Sequence, residues 1–219
     1  MNLAIFDCDG VLIDSEIISC SCAAAFVTAA GYPIDTGEIV SRFVGTPRSA
    51  MLRQLQAESG LSFAPDLEMR LSAAVIARFE SELRPIDGVG SAIVALGIPV
   101  CVASGSDVDY IRRALALTGL RHLFDDSHLF SSRMVARGKP APDVFLHAAA
   151  AMGADPTDCV VVEDSLVGVQ AALAAGMKVL GFTGGAHHAA SPAAARLRDA
   201  GAHRVFGAMK ELPGLLRAL

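Results

Sequence analysis

Leu3-Ala4-Ile5-Phe6-Asp7-Cys8-Asp9-Gly10 sets a short, wholly apolar run directly before two carboxylates and a glycine. A run this short and apolar suits a strand buried on both faces, as in a parallel sheet. Carboxylates at its carboxyl end fall where open α/β sheets place their ligands, and Gly10 lets the chain turn sharply there. Runs of the same kind recur at Ile98-Ala103, His128-Ser131, Val160-Val162, Val179-Phe182 and Arg204-Phe206. Helical periods separate them at Val108-Leu117, Asp143-Met152, Leu166-Ala175 and Ala193-Ala200. That alternation predicts an α/β fold, a doubly wound and mostly parallel sheet with helices on both faces.

One stretch departs from the alternation. From Glu16 to Leu83 every segment has helical spacing (Ile17-Ala30, Thr36-Phe43, Arg48-Glu58, Pro65-Glu82), with Gly31, Gly45 and Gly60 as stops. The predicted division is therefore a core of residues 1–15 plus 84–219 and an inserted four-helix cap of residues 16–83. Val11-Ser15 and Arg84-Gly88 would be its linkers, able to let the cap swing. Phe26, Phe43, Phe63 and Phe79 are expected to pack between the cap helices.

A chain of 219 residues can build one α/β core carrying such an insertion. Hydrophobic residues at 53%, charged residues at 19% and a mean hydropathy of +0.46 argue for a well-buried globular fold. No uninterrupted apolar run reaches the roughly 18 residues of a membrane span, so no membrane association is expected. A net charge of -5 and a pI near 5.6, with scattered Lys and Arg, argue against nucleic acid as a partner. Cysteines 8, 20, 22, 101 and 159 show no CxxC spacing and suit a reducing cytoplasm. Cys20 and Cys22, two apart on a helix, are expected to face different ways rather than share a metal.

The remaining strand ends carry Ser104-Gly105-Ser106, Gly138-Lys139-Pro140 and Glu163-Asp164-Ser165. Gathered by the fold, they make an acidic cluster with one lysine and one hydroxyl. Asp7 and Asp164 are oxygen donors of the kind that holds Mg²⁺. Lys139, the Ser104 hydroxyl and backbone N–H groups near Gly105 suit the non-bridging oxygens of a phosphate. Asp9, two residues beyond Asp7, can serve a leaving oxygen as acid and then a water as base. Carboxylate attack on phosphorus by Asp7 would divide hydrolysis into two steps through an aspartyl phosphate.

Blander readings compete at each position. A calcium loop starting at Asp7 would need Gly sixth and Glu twelfth, where the chain has Leu12 and Ile18. Glu163-Asp164-Ser165 also suits the N-cap of a helix, a role compatible with metal binding. Gly181 to His188 contains a glycine pair but not the lysine and hydroxyl of a phosphate-binding P-loop. With the nearest acidic ligands far away in sequence, His187 and His188 are expected in a mobile surface loop.

Asp7-Cys8-Asp9-Gly10-Val11-Leu12-Ile13-Asp14-Ser15-Glu16, Ser104, Lys139-Pro140-Ala141-Pro142-Asp143 and Val162-Glu163-Asp164-Ser165 resemble, in order, the four motifs of the haloacid dehalogenase superfamily. The insertion after the first motif resembles the cap-bearing branch that includes β-phosphoglucomutase. Gly31-Tyr32-Pro33-Ile34, His147-Ala148-Ala149-Ala150 and Val160 to Lys178 are similar to the bacterial 6-phosphogluconate phosphatases of that branch. The resemblance implies an Mg²⁺-dependent phosphatase acting on a small phosphorylated metabolite, a sugar or sugar-acid phosphate. It makes Asp7 the nucleophile, Asp9 the acid/base and a backbone metal ligand, Ser104 and Lys139 phosphate binders, and Glu163 and Asp164 metal-side carboxylates. It also gives Arg48 in the cap a contact with the distal end of the substrate. A phosphomutase of the same branch is the alternative; Ser19 stands where the mutase carries a hinge histidine. A monomer suffices for either chemistry.

Overall fold

The computed structural model describes residues 1–189 and 192–219. The chain splits into two compact units, one of Met1–Asp14 with Arg84–Leu219 and one of Ser15–Leu83. In chain order β1 (Leu3–Phe6) precedes four helices, α1 (Glu16–Ala29), α2 (Thr36–Phe43), α3 (Arg48–Ser59) and α4 (Leu67–Glu82). Then follow α5 (Val89–Leu96), β2 (Val100–Ser104), α6 (Val108–Leu117), β3 (Leu129–Ser131), α7 (Asp143–Ala151) and β4 (Cys159–Glu163). The chain closes with α8 (Leu166–Ala174), β5 (Lys178–Phe182), α9 (Ala193–Asp199), β6 (Arg204–Phe206) and α10 (Leu212–Arg217).

The strands form one six-stranded sheet in the order β3-β2-β1-β4-β5-β6, with every neighbouring pair parallel. The expected doubly wound α/β core is thus present. Strand order reverses at β1, since the chain runs outward through β2 and β3 before returning to β4 on the other side. Such a reversal opens a crevice between the carboxyl ends of the two strands beside it, here β1 and β4. Burial on both faces explains the unbroken apolar runs: every residue of β1 and of β4 is buried, Glu163 included. Phe145 of α7, fully buried, belongs to the same core cluster as Leu3, Ile5 and Val161; its truncation to alanine would cost about 3–5 kcal/mol.

In the helical unit α1 packs on α2 and α4. Asp35 caps α2 by accepting from the Glu38 N–H at 2.8 Å, and Gly60, at φ 68°, ends α3 in the left-handed region. Phe43 and Phe79 are buried as expected, whereas Phe26 and Phe63 are only half-buried; Arg70 lies over the Phe26 ring at 5.7 Å. Cys20 and Cys22 are both buried, because α1 buries a broad face rather than a stripe. Two helices were outside the sequence reading, α5 and α10. Val89–Leu96 is short and almost wholly apolar, so periodicity cannot separate it from a strand, and its limits are set by Gly88 and Gly97 at φ 71° and 65°. Among the described residues no helix is long and apolar enough to cross a membrane.

Candidate active site

Asp7 follows β1 directly, and its N–H donates to the Val162 carbonyl at 3.0 Å, fastening the first motif to β4. The chain then turns back at once: the Gly10 N–H donates to the Ile13 carbonyl at 2.8 Å and the Leu12 N–H to Cys8 at 2.9 Å. Gly10 adopts φ 78°, and a Cβ there would stand 1.9 Å from Asp164 Oδ2. Only glycine lets β1's loop approach Asp164 so closely. Asp9, on the same turn, is gripped from α6 and the loop before it. Ser106 Oγ donates to Asp9 Oδ2 at 2.8 Å and Tyr110 Oη donates to Oδ1 at 2.5 Å. Ser104, buried at the end of β2, uses its Oγ to accept the Ser106 N–H at 3.0 Å. Gly105 between them is open, with no atom within 4 Å of where a Cβ would be.

Lys139 bridges the two central strands. Its Nζ donates to Asp7 Oδ1 at 2.9 Å and to Glu163 Oε1 at 2.7 Å, and it lies 4.9 Å above the Phe145 ring. The loop carrying it is closed by Arg137, which donates twice to Asp143 at the start of α7, at 3.1 and 2.8 Å. Glu163 Oε2 accepts from the Ser165 N–H and Oγ at 2.8 and 2.9 Å. Ser165 also caps α8, its Oγ accepting the Gly168 N–H at 3.1 Å. The capping and metal-side readings of this motif therefore sit on different atoms of one turn.

Burial is the main force on the carboxyl groups. It pushes Asp7 well above the ordinary carboxylate range, with Lys139 opposing and Glu163, Asp164 and Asp9 adding to the rise. Asp164 is raised for the same first reason, then by Glu163. Burial alone would lower the Lys139 ammonium, but Asp7 and Glu163 outweigh it and hold the group protonated. One ammonium thus serves three buried carboxyl groups, Asp7, Glu163 and Asp164. Such an excess of buried negative charge is costly unless a cation joins it. Asp7, Glu163 and Asp164 offer oxygen atoms all within 4.8 Å of one another, a hard donor set that fits Mg²⁺.

The expectation for His187 and His188 needs correcting. They form a 3₁₀ turn, Ala186–His188, just past the carboxyl end of β5, and His187 is 3% exposed. Its Nε2 lies 3.1 Å from Asp164 Oδ2, and that of His188 lies 3.9 Å away. Asp14 fixes the turn by accepting the Ala186 N–H at 3.1 Å. Burial pushes both imidazoles down to about 4. Distance along the chain hid them, but β5 neighbours β4 in the sheet, and that adjacency was the available signal. Tyr110 has no signal in the sequence beyond its place just after Ser104, and Ser106, part of the Ser104-Gly105-Ser106 stretch, takes its role from its bond to Asp9. Asp7, Asp9, Ser104, Gly105, Lys139, Glu163 and Asp164 all come together in the sheet-bearing unit. Arg48 lies in the helical unit, where it donates to Ser72 Oγ at 2.6 Å and Ser19 Oγ at 3.3 Å.

A sequence model of the haloacid dehalogenase-like hydrolases matches residues 1–176. The 6-phosphogluconate phosphatase of Escherichia coli K12 is 35% identical over 187 residues, 84% of this chain and 83% of that protein. Among solved structures, a conserved haloacid dehalogenase-like protein from Agrobacterium tumefaciens C58 is similar at a TM-score of 0.92 and 40% identity, covering 100% of this chain and 98% of that one. A hydrolase of the same family from Deinococcus radiodurans R1, solved with bound phosphate and sodium, gives a TM-score of 0.82 at 31% identity, covering 100% and 96%.

Proposed function

Since the chain belongs to the haloacid dehalogenase-like hydrolases, we propose that this phosphoric monoester hydrolase is an Mg²⁺-dependent phosphatase of sugar or sugar-acid phosphates, acting through a phosphorylated Asp7. The observation that carries the reading is the Lys139 bridge between Asp7 and Glu163, at 2.9 and 2.7 Å, with Asp9 two residues on and held by two hydroxyls. Lys139 fixes Asp7 Oδ1, so the other oxygen of that carboxylate is the one presented to phosphorus. As the new O–P bond forms, the bond to the sugar oxygen breaks and Asp9 gives that oxygen a proton. Asp9, now ionised, takes a proton from water as the water attacks the aspartyl phosphate. Inorganic phosphate leaves and the Asp7 carboxylate is restored.

Lys139 and the Ser104 hydroxyl hold the non-bridging oxygens, with backbone N–H groups at Gly105. Asp7, Asp164 and the Asp9 carbonyl would hold Mg²⁺, with Glu163 beside them; the cation supplies charge neutralisation at the phosphoryl group. Glu163 spends its oxygens on Lys139 and Ser165 and so also keeps the ammonium in place. The substrate class follows from the 6-phosphogluconate phosphatase relative, and the phosphate in the Deinococcus structure is consistent with it. The helical unit is assigned the role of a substrate-selecting cap, with Arg48 contacting the non-reacting end.

Phosphate release from a panel of sugar phosphates, sugar-acid phosphates and nucleotides tests the proposal. Sugar or sugar-acid phosphates should be the preferred substrates, turnover should require Mg²⁺, and Asp7→Asn should lower kcat by at least about 10³. Full turnover after metal chelation, or by the Asp7→Asn variant, would overturn the mechanism.

A further inference from the structure

Two imidazoles converge on Oδ2 of Asp164. His187 is buried with a side chain wholly out of solvent. Among the described residues, neither of its ring nitrogens, nor Nε2 of His188, has a hydrogen-bond partner. His187 Nε2 is close enough to Asp164 Oδ2, at 3.1 Å, but the pair is not aligned as a hydrogen bond. Buried polar atoms without partners are rare and ask for a reason. The ring centroids lie 3.8 Å apart with the planes tilted by 45°, and Nε2 of each ring points to the same carboxylate oxygen, at 3.1 and 3.9 Å.

The surrounding backbone is shaped to admit them. A Cβ on Gly10 would come within 2.9 Å of the His187 ring as well as striking Asp164, and a Cβ on Gly185 would lie 2.8 Å from the same ring. Asp14 secures the turn through Ala186. One ligand atom from each of Asp164, His187 and His188 lies within 4.8 Å of the others. Ligands about 2.1 Å from a tetrahedral ion stand about 3.4 Å apart, and the two nitrogen-to-oxygen distances, 3.1 and 3.9 Å, bracket that spacing.

We propose that Asp164, His187 and His188 form a second cation site, selective for a first-row transition ion such as Zn²⁺ or Co²⁺ over Mg²⁺. Imidazole nitrogen suits those ions, whereas Mg²⁺ prefers oxygen and keeps its waters. Asp164 is shared: it stands in the oxygen cluster with Asp7 and Glu163 and in the group with the two histidines, which approach its Oδ2. Three protein ligands leave a fourth tetrahedral position open. The proposal rests on this geometry and stands whether or not Asp7 is the nucleophile.

The test uses the full-length, metal-free protein in saturating Mg²⁺, so that the oxygen cluster is filled before Zn²⁺ is added. Equilibrium dialysis should find one Zn²⁺ per chain, and X-ray absorption should show two imidazole nitrogens at about 2.0–2.1 Å. His188→Gln, at the more exposed ligand, and His187→Asn should each weaken Zn²⁺ binding by at least about tenfold, the effect reported even for indirect neighbours of metal sites. Circular dichroism identifies any variant that has lost its fold, and the other variant then decides. Zn²⁺ binding that vanishes in saturating Mg²⁺, that shows oxygen ligands only, or that is unchanged in a folded variant would overturn the proposal and leave His187 as a packing neighbour of Asp164.

Discussion

Gly168 carries no functional group, yet it decides whether Glu163 can stand where it does. A Cβ at this position of α8 would lie 1.7 Å from Glu163 Oε1, 1.9 Å from Cδ and 2.4 Å from Oε2. On helix propensity alone Gly168→Ala should stabilise the protein by about 1 kcal/mol. The structure reverses that sign. Glu163 is fully buried and would have to leave Lys139 at 2.7 Å and Ser165 at 2.8 and 2.9 Å. Breaking a buried pair costs about 3–5 kcal/mol, and Lys139 keeps Asp7, so the lower end applies. The net is a loss of about 2 kcal/mol, or a Tm lower by about 4–8 °C in a chain of this size. Lys139 loses one of its two charge-assisted bonds, worth about 1.5–3 kcal/mol, so kcat/KM should fall about ten- to a hundredfold. Thermal melting and kinetics read the two effects. A cycle with Glu163→Ala isolates the cause, because in that background Gly168→Ala should be stabilising. Equal or greater stability of Gly168→Ala in the otherwise unaltered protein would refute the reasoning.

Tyr110→Phe removes the 2.5 Å donation to Asp9 and leaves the Ser106 bond intact; kcat should fall about tenfold or more while KM changes little, read by steady-state kinetics. In the metal-free protein His187 should contribute a loss of stability as pH falls from 6.5 toward 4, because it is held at about 4 in the fold against an ordinary value of 6.5, so the unfolded chain takes up a proton there that the folded one refuses. The raised Asp7 and Asp164 act in the opposite sense, so the contribution of His187 appears as the difference in urea midpoints between the native chain and His187→Asn. That difference should shrink on acidification; a constant difference would contradict the assignment. Arg48→Ala should lower kcat/KM for the physiological sugar phosphate by about 10- to 100-fold while barely affecting a small aryl phosphate; equal losses on both would make its ties to Ser19 and Ser72 structural.

The legible part of the site was the part in which chemistry directly follows an apolar run. Asp7, Ser104 and Asp164 lie at or just past the ends of β1, β2 and β4, and strand ends are where a doubly wound sheet gathers its ligands. Lys139 was readable only from its order among the motifs, since the loop that delivers it depends on the Arg137–Asp143 pair. What stayed hidden depends on spatial adjacency. His187 reaches Asp164 because β5 pairs with β4 and because Gly10 and Gly185 leave room. Tyr110 reaches Asp9 from the first turn of α6, where a tyrosine reads equally well as packing. Strand limits moved for a related reason: Glu163 is polar and so looked like a loop residue, yet it closes β4 because Lys139 and Ser165 satisfy its oxygens.

Capture of the covalent intermediate tests the central claim most directly. Enzyme mixed with a sugar phosphate in Mg²⁺ and quenched in acid within one turnover is treated with borohydride, which reduces an acyl phosphate but spares a free carboxylate. Peptide mass spectrometry then locates the reduced side chain. Reduction at Asp7 alone, dependent on substrate and lost in Asp7→Asn, is the predicted result. Reduction at another carboxylate, or phosphate released at the normal rate with Asp7 unmodified at every quench time, would contradict the account.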